Sequence, residues 1–133
     1  MIEDEIFTRL TGDATITGLV GTKIYPGGAP QGIALPYVTY KRVSTDPVYT
    51  ITGDNGLNDA TYQIDAWSQT YSEAVSIADA IRARLEGWQD VSGTPKFYGT
   101  RVVEEDDIVA SPVGGSDRFN YARSLDVAIW YSE

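Results

Sequence analysis

Four consecutive carboxylates, Glu104, Glu105, Asp106 and Asp107, form the densest group of potential oxygen ligands in this 133-residue chain. A hard divalent cation takes several such ligands, so the cluster could in principle hold one. Consecutive residues of an extended segment point to opposite sides, however, and a solvated loop that keeps a sheet edge soluble is the simpler expectation. Asp54, Asn55, Asn58 and Asp59 resemble a calcium loop superficially, but the D-x-D-x-D-G spacing is not met and turn chemistry accounts for them. Asp65 and Asp126 could share acid and base work if the fold brought them into one cleft; otherwise they are solvent-facing strand carboxylates. The pairs Gly27-Gly28 and Gly114-Gly115 lack the lysine, serine or helix start of a phosphate cradle and read as loop glycines.

The chain has no histidine and no cysteine. Their absence removes the commonest general base, the commonest metal ligand and any thiolate site together. No catalytic residue, metal ligand or cofactor is therefore assigned, and the expectation is that the protein is not an enzyme. Ten basic against 19 acidic residues give a formal charge of −9, which repels nucleic acid and anionic membrane rather than attracting them. No segment reaches the ~20 apolar residues of a membrane span, and the start MIEDEIFTRL is not that of a secretory signal, so no membrane partner is expected. With 42% hydrophobic residues and a length typical of one domain, residues 1–133 are expected to form a single globular unit.

The elements that would position these residues are legible from periodicity. Residues 61–87, TYQIDAWSQTYSEAVSIADAIRARLEG, pass from a strand into a helix. Tyr62, Ile64 and Ala66 share one strand face, and Ala74, Ile77, Ala78, Ile81 and Leu85 recur at helical spacing. Thr70 and Glu73 form a capping box, Gly87 supplies the stop, and Arg82 and Arg84 meet the negative end of the helix dipole. Residues 1–10 read as a second helix with Ile2, Ile6 and Leu10 on one stripe, ended near Gly12. Residues 23–36, KIYPGGAPQGIALP, read as a strand stub and an ordered loop. Residues 37–44 read as the first long strand, interrupted at Pro47, with Asn55-Gly56 marking a hairpin turn. Residues 97–103 and 119–131 read as two more strands, paired antiparallel across the polar loop EEDDIVASPVGGSD. The fold class is thus α+β: a single antiparallel or mixed sheet of about four long strands, two helices on one face and a projecting β-hairpin arm.

That arm either folds back on its own core or packs on a neighbouring chain, and it is the candidate surface for a partner. Val48, Tyr49, Ile51 and Leu57 lie at the hairpin tip, and a domain this small has little spare surface to cover them. Exposed apolar patches of that kind mark interaction sites, and the strand edges of the arm also offer backbone groups to another chain.

Three segments together resemble a known family. IYPGGAPQGIALPYVTYKRVS, YQIDAWSQTYSEAVSIADAIRARLEG and the closing strand pair are similar to the tail completion, or tail terminator, proteins of long non-contractile-tailed phages and related prophages. The likeness rests on Tyr25 and Pro26, Leu35 and Pro36, Gln63, Asp65 and Trp67, and Tyr71, Glu73 and Ala74. It implies a structural virion protein whose copies close a ring, typically a hexamer, at the head-proximal end of the tail tube. There it would stop tube polymerisation and join the tail to the head connector after assembly in the host cytoplasm. Its implied partners are copies of itself, the tail tube protein and the connector or neck protein, with DNA passing through the lumen without specific binding. The alternatives are a head-side neck adaptor or minor tail protein of similar fold, or a monomeric ligand-binding or carboxylate-dependent enzymatic domain.

Overall fold

The computed structural model describes residues 2–28, 30, 33–50, 53–92, 95–110 and 120–132, with the backbone alone at 46–50, 53–56, 109–110 and 120. Eight elements follow in chain order: α1 Ile2–Thr11, α2 Ala14–Val20, β1 Ile24–Pro26, β2 Tyr37–Thr50, β3 Gly53–Ser68, α3 Tyr71–Leu85, β4 Lys96–Ala110 and β5 Asn120–Ser132. The strands form one five-stranded mixed sheet in the order β1-β2-β3-β5-β4. β1 runs parallel to β2 and the other neighbours pair antiparallel. This is the α+β class the residue pattern predicts, with one more helix and the expected stub as a fifth strand.

Two patterns of period build the core. Alternation places Val38 and Tyr40 of β2, Tyr62, Ile64 and Ala66 of β3, and Leu125, Val127 and Ile129 of β5 on one face, and all are buried. Against this face α1 sets Ile2, Ile6 and Leu10, and α3 sets Ala74, Ile77, Ala78, Ile81 and Leu85, each buried as its helical spacing demands. α3 packs on β3 and β5, and α1 and α2 pack beside α3. Arg9 and Arg84 lock α1 to α3, each donating to the backbone carbonyl of the other. Arg9 also lies over Trp88, which stacks on Phe97 at 4.4 Å and closes the end of the core.

The N-terminal cap of α3 holds an extra link. Thr70 Oγ1 accepts from Glu73 N–H, as a capping box requires, but the Glu73 carboxylate does not return to the backbone. It accepts from Ser68 Oγ instead, and Ser68 Oγ in turn accepts from Thr70 N–H. Gly87 ends the helix with φ +76, and its N–H crosses to Thr100 C=O of β4.

Four expectations need correction. The segment around Ile16 and Val20 is a third helix, α2, capped by the Asp13 carboxylate and stopped at Gly21 with φ +64, and both residues are buried. Seven residues are too few for periodicity to declare a helix; tertiary burial of two side chains holds it. Pro47 does not interrupt β2, which continues to Thr50 and pairs Pro47 with Asn58. That part of β2 has no other neighbour among the described residues, and an edge strand tolerates a missing N–H. Asn55 and Gly56 do not form the hairpin turn: Val48 pairs with Leu57 but Tyr49 with Asp54, so they sit at a bulge within β3. Glu104–Ala110 is not loop; it completes β4 and pairs with β5 along its whole length.

Candidate functional site

All three helices lie on one side, so the sheet presents a second face that no described helix covers. The cross-strand register brings Tyr37, Thr39 and Lys41 beside Gln63, Asp65 and Trp67, then Ala122, Ser124 and Asp126, then Glu104, Asp106 and Ile108. Thr39 and Asp65, each 9% exposed, and Ser124, at 7%, are nearly buried there. The large rings are the reason. Trp67 lies beside Tyr37 at 6.4 Å and donates its indole N–H to Thr39 Oγ1 at 3.3 Å. The Gln63 amide donates to both oxygens of Asp65 at 3.1 Å.

Two shallow recesses mark this face. One, about 240 Å³, lies between Gly27, Gly28, Tyr37, Lys41, Asp65 and Trp67. The other, about 150 Å³, lies between Gln63, Glu104, Asp106, Ser124 and Asp126. Their chemistry is that of open polar surface. Asp65 stands opposite Ser124 and Asp126 opposite Gln63, so the register sets the two carboxylates on a diagonal rather than face to face. Among the described residues no group of three or more histidine, cysteine or acidic side chains could hold a metal ion.

The acidic run of β4 divides by strand alternation. Glu104 and Asp106 join the open face, whereas Glu105 and Asp107 turn to the helix side. There Glu105 pairs with Arg82 at 3.2 Å, and Asp107 accepts from Arg123 Nε at 2.7 Å and from Tyr71 Oη at 2.8 Å. Those hydrogen bonds, from Arg123 first and Tyr71 second, hold the Asp107 carboxyl below the usual carboxylate range. Arg82 and Arg123 thus balance half of a cluster that looked uniformly negative in sequence.

The hairpin tip is set by where β5 stops. β5 pairs with β3 only from Asn58 to Ser68, so Gly53–Leu57 and the facing Val48–Thr50 form a two-stranded ribbon past the body of the sheet. Val48 and Leu57 are register partners on it, and Leu57 is half-buried. Tyr49 lies on its β2 side, and Ile51 lies outside the described residues. On β2 ahead of the ribbon stands Arg42, a residue sequence reasoning left without a role. Alternation points Arg42 inward with Val38 and Tyr40, and it donates to Tyr62 Oη at 2.9 and 2.7 Å and to Glu3 at 3.3 Å. An arginine in phase with buried residues is the signal that could have found it.

The fold is thus a sheet with helices on one face, an open second face and a β2–β3 ribbon beyond the pairing with β5. The chain belongs to the tail completion protein gp17 family, whose profile matches residues 4–131. No curated protein matches the sequence. Among solved structures, a chain of the virion of a native gene transfer agent particle shares the fold, with a TM-score of 0.77. It is 19% identical over 96% of this chain and 92% of that one. The protein is thus a structural component of a phage-type tail, and the fold class predicted from its residues is the one observed.

Proposed function

We propose that this protein closes a ring at the head-proximal end of the tail tube, ends tube polymerisation and joins the tail to the head connector. The observation that carries the reading is the family match over nearly the whole chain, 4–131. The geometry supports it. Cyclic closure needs two different, complementary patches on each subunit; Val48, Tyr49, Ile51 and Leu57 are the proposed residues of one, and the described ones lie on the β2–β3 ribbon beyond the pairing with β5. With helices outward, the open face carrying Asp65, Glu104, Asp106 and Asp126 lines the lumen and repels the passing genome. A ring of this kind is assembled in the host cytoplasm, typically as a hexamer, and needs no catalyst.

Electron microscopy of the purified protein mixed with tail tubes tests the reading. The expected result is a ring on one end of each tube and arrest of further growth. Binding to connector rings with tubes left bare would move the protein to the head-side neck.

A further inference from the structure

The two outer edges of the sheet are open over different halves of their length. β1 and Gly27 N–H occupy the edge of β2 at Val38–Tyr40, and from Lys41 to Thr50 no described strand pairs with that edge. On the far side the connection from α3 occupies the start of β4. Gly87 N–H donates to Thr100 C=O, Asp90 and Phe97 exchange backbone bonds, and the Glu86 carboxylate accepts from Val102 N–H. From Glu104 to Ala110 no described strand pairs with the outer edge of β4. The register makes these halves complementary: Ile108 stands level with Tyr37, through Ala122 and Trp67, and Glu104 level with Lys41, through Asp126 and Gln63. Where β4 is open β2 is covered, and where β2 is open β4 is covered.

We propose that the open half of β4 in one copy pairs antiparallel with the open half of β2 in the next, joining the sheets into one closed barrel. This rests on the ring reading above and gives that ring its contact. Setting residues 104–110 against 42–48 displaces the neighbour by six to seven residues, about 20–23 Å along the strands at ~3.3 Å per residue. Each subunit adds four strands to the wall, β2, β3, β5 and β4, which is about 19 Å at ~4.8 Å per strand. β1 fills the column above the incoming β4. That ratio inclines the strands by about 45–50° to the ring axis, beside the ~35–45° of closed barrels.

The hand agrees as well. β3 and β4 run parallel on either side of β5 and are joined through α3, a crossover that is right-handed in about 98% of cases. Seen from the helix side with β3 pointing up, β4 is then on the right with its open half at the top. β2 is on the left with its open half at the bottom. The right-hand neighbour must ride up, and closing that path makes the strands climb to the right, the sense in which strands twist.

The hydrogen-bonding phase fits the same pairing. The alternation that turns Val38 and Tyr40 towards β1 turns Thr45 and Pro47 outward past the bulge at Val43, and Asp107 N–H is already turned out to the Asp106 carboxylate. Thr45 opposite Asp107 therefore aligns donors with acceptors and sets Ser44 against Ile108 on the open face. Pro47 withholds one donor and keeps the joint short. In this register Arg42 meets Ala110 and Asp106 stands opposite Asp46, so the joint rests on backbone pairing and not on charge attraction.

The chain has no cysteine, so Ser44→Cys with Ile108→Cys introduces its only two thiols. Facing residues of a non-hydrogen-bonded pair sit about 4.5 Å apart at Cα, which a disulfide can span. Oxidised at a concentration where light scattering reports oligomers, the double variant is expected to give a ladder of covalent multimers, and each single variant none. Ser44→Cys with Asp106→Cys reads the register two residues away. Oligomers that cross-link in neither combination overturn edge pairing and leave the ring standing, and symmetric dimers from Ser44→Cys alone overturn it too. A chain that stays monomeric at every concentration overturns ring and pairing together. Glu105→Pro removes an outward donor without touching the ladder to β5, and is expected to melt near the parent temperature but remain monomeric. Unaltered oligomers of that variant would also overturn the pairing.

Discussion

Tyr40 and Arg42 show how one strand face can hold polar groups from the buried core out to its exposed rim. Tyr40 is 3% exposed and donates its hydroxyl to Glu3 C=O at 3.1 Å, tying β2 to the first turn of α1. Burial first, then the charges of Asp4 and Glu3, push its hydroxyl up to about 12. An unfolded tyrosine ionises near ~10, so the folded form retains the proton longer. The stability Tyr40 contributes is complete below pH ~10 and is lost as pH rises towards 12. Burial pushes the Tyr62 hydroxyl up in the same direction, against the hydrogen bond and charge of Arg42. Denaturant titrations between pH 8 and 12 should show this alkaline fall, and Tyr40→Phe should make it shallower while costing about 1 kcal/mol at neutral pH. The cap of α3 gives a second residue-scale test. Thr70→Ala should lower stability by about 0.5–2 kcal/mol, read as a shift in denaturant midpoint at unchanged slope. Ser68→Ala should also destabilise, because it frees both Thr70 N–H and the Glu73 carboxylate.

The seven residues of α2 matter more than their length suggests. Ile16 is fully buried among the residues of the core, so Ile16→Ala should cost about 2–5 kcal/mol in equilibrium unfolding. A loss under 1 kcal/mol would mean that α2 is a surface appendage. For the hairpin the expectation is the reverse. Its tip lies beyond the pairing with β5, so replacing 48–57 by a short turn should leave the melting temperature nearly unchanged while abolishing the ring and the tail joint. Persistence of both would exclude the arm as a contact. Legibility differed between these elements for physical reasons. α1 and α3 repeat their apolar residues over ten and 15 positions, long enough for the stripe to stand out. α2 presents two buried residues and a mid-helix Gly18, which no periodicity test resolves. Pro47 and Asn55-Gly56 are strong local signals that the sheet overrides. An edge position needs no N–H from proline, and a bulge accepts the same Asn-Gly pair that a turn would.

At the scale of the whole molecule, charge and architecture act together. A subunit of net charge −9 whose open face carries Asp65, Glu104, Asp106 and Asp126 should not retard duplex DNA in a gel, even near 50 mM salt, where phosphate contacts are strongest. Measurable binding there would contradict a repelling lumen. The residues alone determined the fold class and the principal core stripes. Each depends on composition or on neighbours a few positions apart. Tertiary structure alone decided the order of the strands, the division of Glu104–Asp107 between two faces, and the complementary open halves of β2 and β4. Those depend on register between segments about 60 residues apart, such as Tyr62 against Val127, where many pairings satisfy the same alternation. Only simultaneous packing of all the helices on one face selects among them.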